Sequence, residues 1–395
     1  MSERNGTLRA PVRPVVLLLG LLALAVNLRA ALSGYPPLLE SAREDLGISA
    51  GAAGLAQTGA VLMMAAGSFV GSAIGARYGH ERALGAAVGL VAVGSLVRGV
   101  AAFPALVGGS LLIGFGIGVA GVLLTGVVKD RLASRAGAVT GGYVVSMMVG
   151  STVSSAAAVP LAVLLGGWSL SLAVWAVPAA LAVAAWLPIG NRAQRPQRGG
   201  PRPPLPWRDR FARLACCYQA GTSLLVYGWM TWLPPYYQSQ GFSPALAGAL
   251  LAGWSVAQIP SALIVPALAE RRRRWRFWAA VMLASVAAGT LGALLMPLPP
   301  LVGPWLWVVL IGIGSGAGFP LGLAVIAWRT PDGAASAATS GLALGVGYTV
   351  AGLGPLLMGV LIDVTGGFGA AIGVLLAAAA AQAMAIARIG DASQR

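Results

Sequence analysis

Acidic side chains are scarce in this sequence. Eleven Asp and Glu serve 395 residues, and none falls in the middle of an apolar run. Proton relays inside a membrane use Asp, Glu or His, so no midplane carboxylate is on offer for obligatory proton coupling. Glu40 and Asp363 come nearest, and both lie at the ends of apolar runs. The single histidine, His80, sits in a polar turn. The two cysteines, Cys216 and Cys217, are adjacent in one apolar stretch, which implies neither a disulfide framework nor a metal site. There is no His/Asp/Glu cluster and no nucleophile–base set, so neither an enzyme nor a bound cofactor is implied. Charged residues make up 9% of the chain, against about 25% in a soluble domain. That excludes a water-soluble protein.

What the sequence has instead is apolar length: 57% of it is hydrophobic. The runs recur throughout, which excludes a soluble domain on one anchor. They are continuous rather than alternating, which argues against a membrane β-barrel. The expected fold is an all-α membrane protein with twelve spans, at 14–36, 50–75, 83–102, 105–128, 138–165, 168–188, 211–236, 244–268, 277–296, 304–328, 334–361 and 369–388. No small-residue cleavage site follows the first run, so it reads as a retained helix rather than a signal peptide.

The net charge of +15 is distributed by topology. With these spans, Arg4, Arg9, Arg13, Arg77, Arg82, Lys129, Arg131, Arg135, the linker arginines, Arg271–Arg274, Arg276, Arg329, Arg388 and Arg395 share one side. Only Arg29, Arg43 and Arg98 fall elsewhere. That is the positive-inside bias, and it puts both termini in the cytoplasm of an inner (plasma) membrane protein. The same bias explains the basic charge without a nucleic-acid partner. The expected partners are the lipid bilayer and a small-molecule substrate, with the chain acting as a monomer.

The stretch 191–210, rich in Pro, Gly and Arg, cannot span and reads as a cytoplasmic linker at the midpoint. It divides the chain into bundles at 1–190 and 211–395. Echoes cross it in order. Tyr35-Pro36-Pro37 answers Leu233-Pro234-Pro235, and Leu112-Ile113-Gly114 answers Leu310-Ile311-Gly312, each at an offset of 198. Gly166-Gly167-Trp168 answers Gly366-Gly367-Phe368 at 200. Six spans per half and a nearly constant offset describe two parallel pseudo-repeats.

Six plus six spans about a basic linker resemble the major facilitator superfamily over the whole chain. The turn Ser72-Ala73-Ile74-Gly75-Ala76-Arg77-Tyr78-Gly79-His80-Glu81 is similar to that superfamily's pattern after the second span, matching at Arg77 and Gly79. Ala76 replaces the usual acid. Asn27-Leu28-Arg29-Ala30-Ala31-Leu32, Leu46-Gly47-Ile48-Ser49 and Trp232-Leu233-Pro234-Pro235 resemble the cyanate-permease and nitroimidazole-transporter branch. The resemblance implies alternating access around a central cavity, a conformational latch at Arg77 and Gly79, and spans one and seven as cavity walls. It also implies that the second and eleventh spans meet at the seam between the halves, where Gly67, Gly71, Gly75, Gly341 and Gly345 form smooth stripes.

Arg29 is the sharpest single signal. A guanidinium this deep in an apolar run costs at least ~2.5–3.5 kcal/mol on the insertion scale and cannot shed its charge. Glu40 lies ~16 Å further along the helix axis, too far to pair. A bound small anion or polar solute would satisfy the charge. Ser33, one turn on, shares the face of Arg29. Asn27 is about 200° round the helix and reads as an interhelical hydrogen-bonding group as well as a candidate ligand. Span seven carries Gln219, Ser223, Tyr227 and Thr231 at steps of four, a polar stripe facing Arg29. Gln258 and Tyr348 complete the candidate binding set. Arg98 reads as peripheral, its head snorkelling to the lipid headgroups. In the alternative reading the chain is a drug exporter with a structural Arg29 and an apolar cavity lined by Trp229, Met230 and Trp232. Gly116-Ile117-Gly118-Val119-Ala120-Gly121 matches a dinucleotide fingerprint, but it lies within a span and reads as helix packing.

Overall fold

The computed structural model describes residues 14–132, 136–190, 206–272, 274–331 and 333–389. Most of the expected linker, 191–205, lies outside the described residues. The chain runs α1 (Pro14–Ser33), a 3-10 turn (Pro36–Leu38), α2 (Leu39–Leu46), α3 (Ala50–Tyr78), α4 (His80–Val97), α5 (Phe103–Arg131), α6 (Ala136–Leu165), α7 (Trp168–Ala173), α8 (Ala176–Gly190), α9 (Arg210–Ser239), α10 (Pro244–Arg272), α11 (Trp275–Leu295), α12 (Trp305–Arg329), α13 (Gly333–Thr365) and α14 (Gly369–Ile389).

Eleven helical stretches among the described residues are long and apolar enough to cross a membrane. α9 is outside that set although it has 30 residues. Its stripe of Gln219, Ser223, Tyr227 and Thr231 lowers its hydropathy, yet it is buried along almost its whole length. Between the first two spans the chain does not loop freely: after the 3-10 turn it forms α2, with Glu40 in its first turn and Arg43 in its last, paired at 3.3 Å. Those charges complement the helix dipole, and Gly47 ends the helix in the left-handed region.

The arginine-rich helix ends gather on one face, which we call the basic face. Arg82 Nε donates to the Gly190 carbonyl at 3.2 Å, tying the start of α4 to the end of α8. Arg276 donates to the Ala387 carbonyl at 3.4 Å, tying α11 to α14. Within α1–α8, α1 packs on α6, α3 and α4 on α5, and α4 on α8. Within α9–α14, α9 packs on α13, α10 and α11 on α12, and α11 on α14. The two sets meet chiefly through α3 with α13 and α6 with α10.

Glycine permits the closest approaches. A Cβ at Gly114 of α5 would overlap the Ala60 carbonyl of α3, and one at Gly150 of α6 would overlap the Val26 carbonyl of α1. The stripe Gly67, Gly71 and Gly75 also faces α5, against Phe115, Val119 and Leu123. The expectation that this stripe lines the seam with α13 is therefore corrected. α3 does meet α13, but through Gly51, Gly54, Leu62 and Phe69. The reason is packing distance: α5 is wedged between α3 and α4 and needs the small residues more.

Candidate functional site

Arg29 lies near the end of α1 and is only partly buried. Among the described residues its sole hydrogen-bond partner is the Met148 thioether on α6, at 3.9 Å. A thioether is a weak acceptor, and no carboxylate pairs with the guanidinium among the described residues. The hydroxyls of Tyr227 on α9 and Tyr348 on α13 lie within electrostatic range of it. Those two rings meet edge to face at 6.4 Å, and Tyr348 stacks on Phe319 of α12 at 6.5 Å. The Tyr227 hydroxyl points at Met64 Sδ of α3, 3.9 Å away. Both sets of helices thus contribute to one site: a cation with free donors, aromatic faces and two polarisable thioethers.

Beyond Arg29, away from the basic face, the site is sealed. Ser33 Oγ lies 2.6 Å from Ser151 Oγ of α6, which lies 2.9 Å from Ser255 Oγ of α10. Ser33 also contacts Met230 Sδ of α9 at 3.9 Å. All three serines are buried. Ser33 shares the Arg29 face, as its spacing requires, but its hydroxyl is engaged in this chain.

The remaining candidates divide. Gln219 and Ser223 rest against Gly347 of α13, and Gln219 also against Gly322 of α12. Gln219 is fully buried, and neither end of its amide has a partner among the described residues. Thr231 donates back to the Tyr227 carbonyl at 2.8 Å. Gln258 reaches only the Trp254 carbonyl of its own helix, at 3.5 Å. Asn27 donates to the Ala23 carbonyl, also within its own helix, at 2.8 Å. No interhelical bond from Asn27 is present among the described residues.

Two expectations are overturned. Arg98 does not snorkel: it is 1% exposed. Its Nε and Nη2 donate to Ser110 Oγ at 3.1 and 2.6 Å, and its Nη1 to the Ala31 carbonyl at 2.8 Å. Its guanidinium lies over the Tyr35 ring at 5.9 Å. Burying a guanidinium is tolerable once its donors are satisfied, and Ser110 and Ala31 do that. The exporter cavity is the second. Trp229 and Trp232 are 1% exposed and Met230 fully buried. The indole N–H groups bond Thr290 Oγ1 and the Pro355 carbonyl, each at 3.0 Å. These side chains fill the core rather than line a cavity.

At the basic face Gly79 adopts φ 91 and closes α3 through its N–H to the Gly75 carbonyl. Arg77 is exposed and stacks over its neighbour Tyr78 at 5.3 Å. The buried charge at this turn is Glu81, which pairs with Arg131 at 2.9 Å and accepts the Trp186 N–H at its carbonyl. Sequence reasoning missed Met148, Ser151, Met64 and Phe319. The serines of α6, spaced by three and four in an apolar helix, were the available signal for a helix contact.

Residues 17–311 match the Major Facilitator Superfamily sequence profile. The chain is 31% identical to an uncharacterized transporter of Bacillus subtilis (strain 168), over 92% of this chain and 90% of that one. It is 32% identical to the 2-nitroimidazole transporter of Escherichia coli (strain K12), over 89% of each chain. It is 29% identical to the cyanate transport protein of Escherichia coli (strain K12), over 89% of this chain and 91% of that one. In structure it is similar to a D-xylose–proton symporter, with a TM-score of 0.72 at 13% identity, over 95% of this chain and 96% of that one.

Proposed function

This chain belongs to the Major Facilitator Superfamily and is a multi-pass transporter of small molecules rather than an enzyme; from that premise we propose that it carries a small anion or small polar molecule by alternating access, with Arg29 at the centre of the binding site. The single observation behind the reading is the state of Arg29: a charged side chain inside the helical bundle whose only hydrogen-bond partner among the described residues is a thioether. A guanidinium in low dielectric strongly favours an electron-rich ligand, and its paired N–H groups add geometric selectivity. Tyr227 and Tyr348 lie within electrostatic range of it and form an aromatic cluster with Phe319, which suits a small solute with delocalised charge. The names of the relatives, a 2-nitroimidazole transporter and a cyanate transport protein, fit that class.

The wider organisation is part of the same proposal. α9 is read as the twelfth crossing, and the division at 191–210 as separating two parallel repeats. The matching helix pairings within α1–α8 and α9–α14 support this. The basic face is assigned to the cytoplasm of the inner membrane, with this structure closed on the opposite face. Cysteines placed at Ser2, Gly199 and Ser393 should be shielded from an impermeant reagent in intact cells, while Ser41 and Ser239 should label.

The decisive test is thermal stabilisation of the purified chain by cyanate and by 2-nitroimidazole, since a ligand that binds only the folded state raises apparent stability. Stabilisation of the wild type that disappears in Arg29→Ala, at equal folded yield, supports the site. Unchanged affinity in folded Arg29→Ala overturns it.

A further inference from the structure

On the face opposite the basic one, Asp363 near the end of α13 reaches across to the first turn of α3. Its two carboxylate oxygens accept the backbone N–H groups of Ala50 and Gly51, at 3.0 and 2.7 Å. Ser49, the N-cap of α3, already accepts the Ala52 N–H. Asp363 thus takes two of the donors that a helix start leaves free, and its charge faces the positive end of the helix dipole. The contact joins residues more than 300 positions apart, one in each set of helices. The backbones close around it, since a Cβ at Gly359 would lie 2.8 Å from the Ala50 carbonyl. Further down the same interface, Trp232 and the Pro355 carbonyl crowd Gly54.

The closed interface carries a cost that such a contact can offset. Thr58 lies four residues after Gly54 and four before Leu62, on the α3 face that meets the second set. It is 2% exposed, and its hydroxyl has no partner among the described residues. Unpaired buried polar groups favour any state that lets water reach them. The interface is therefore under tension: a desolvated hydroxyl favours opening, and the Asp363 carboxylate on the helix start favours closure.

We propose that Asp363 is the latch that holds the two sets of helices together on the face away from the basic ends, and that its release is the step that opens the Arg29 site to that side. The proposal rests on the alternating-access reading. No substrate contact is assigned to Asp363; it acts on the equilibrium between the two openings.

The test uses the full chain with Cys216 and Cys217 replaced by Ala and a single reporter, Thr58→Cys, reacted with a membrane-impermeant maleimide from the face opposite the basic one. With Asp363 in place labelling is slow. Asp363→Asn keeps the shape but removes the charge, and it should label roughly tenfold faster, the change expected for loss of a charge-assisted contact. Ala50→Pro attacks the same contact from the donor side, because the first helical position tolerates proline, and it should accelerate labelling in the same direction. It also serves if Asp363→Asn folds poorly. A second reporter at Gly341, where an added side chain meets open space near the basic end of α13, should label more slowly from the basic side in Asp363→Asn. Equal, measurable Thr58→Cys rates in all folded backgrounds overturn the latch while leaving alternating access standing. No labelling of Thr58→Cys in any background overturns both.

Discussion

Arg98 and Arg29 enter the same half of the molecule and differ in everything that surrounds them. Arg98 is sealed from solvent, with three of its nitrogens bonded to Ser110 and Ala31 and an aromatic ring beneath it. Arg29 is partly exposed, with one thioether and two neighbouring phenols. The first arrangement ties α4 to α5 and α1. The second holds nothing together. The difference teaches how to tell a structural cation from a candidate binding one in a membrane protein: by how many of its donors the protein itself satisfies, not by its depth. An arginine with its donors used cannot offer them to a solute, and one with its donors spare gains by accepting a solute.

The comparison breaks most visibly at Arg98. Arg98→Ala leaves Ser110 and the Ala31 carbonyl without their partner and opens a void, so it should cost at least about 3 kcal/mol, three charge-assisted hydrogen bonds to two acceptors being lost. The check is folded yield and melting temperature in detergent. If Arg98→Ala folds as well as the wild type, the structural assignment fails. Arg29→Ala should behave oppositely. Stability should stay within about 1 kcal/mol, while ligand affinity falls by roughly tenfold to over a hundredfold, equivalent to ~1.5–3 kcal/mol. Arg29→Lys, which keeps the charge but not the fork, should fall between, as titration of all three preparations with one ligand will show.

Two smaller effects sharpen the contrast. Ser151→Ala removes the middle of the Ser33–Ser151–Ser255 chain and should cost about 1 kcal/mol of stability. It should leave affinity at Arg29 almost unchanged, because the chain seals the site without completing it. A large affinity loss at unchanged stability would instead place Ser33 or Ser151 on the ligand. Tyr348→Leu removes the ring that stacks on Phe319. For a flat solute, affinity should drop by about 0.5–1 kcal/mol, roughly two- to fivefold. Equal loss for a linear ion and a flat heterocycle would show that the ring shapes the pocket rather than contacts the ligand.

Part of this was legible without coordinates. Membrane class, the positions of most spans and the oddity of Arg29 all follow from local sequence, because burying an uncompensated charge in hydrocarbon is costly whatever the fold. The Tyr227 side of the site was legible too, since four-residue spacing places a stripe on one face of any helix. α9 shows the limit of the same logic, as the stripe that marks it also keeps it out of the set of plainly apolar spans. Arg98 shows another limit. Its depth resembles that of Arg29, and nothing within a few residues of it reveals that Ser110 and Ala31 will supply its acceptors.

The sequence by itself determined that the chain lives in a bilayer, which ends of its helices are basic, and that Arg29 had to find a partner or remain available. Only the tertiary structure decided that Arg98 is spoken for and Arg29 is not, that Ser33 closes the site, and that Asp363 sits on the start of α3. The reason is one of range. Hydropathy and helical periodicity act between residues a few positions apart, whereas a hydrogen bond is made by whatever atom arrives within about 3 Å, and in this chain that atom comes from another helix, often from the other half.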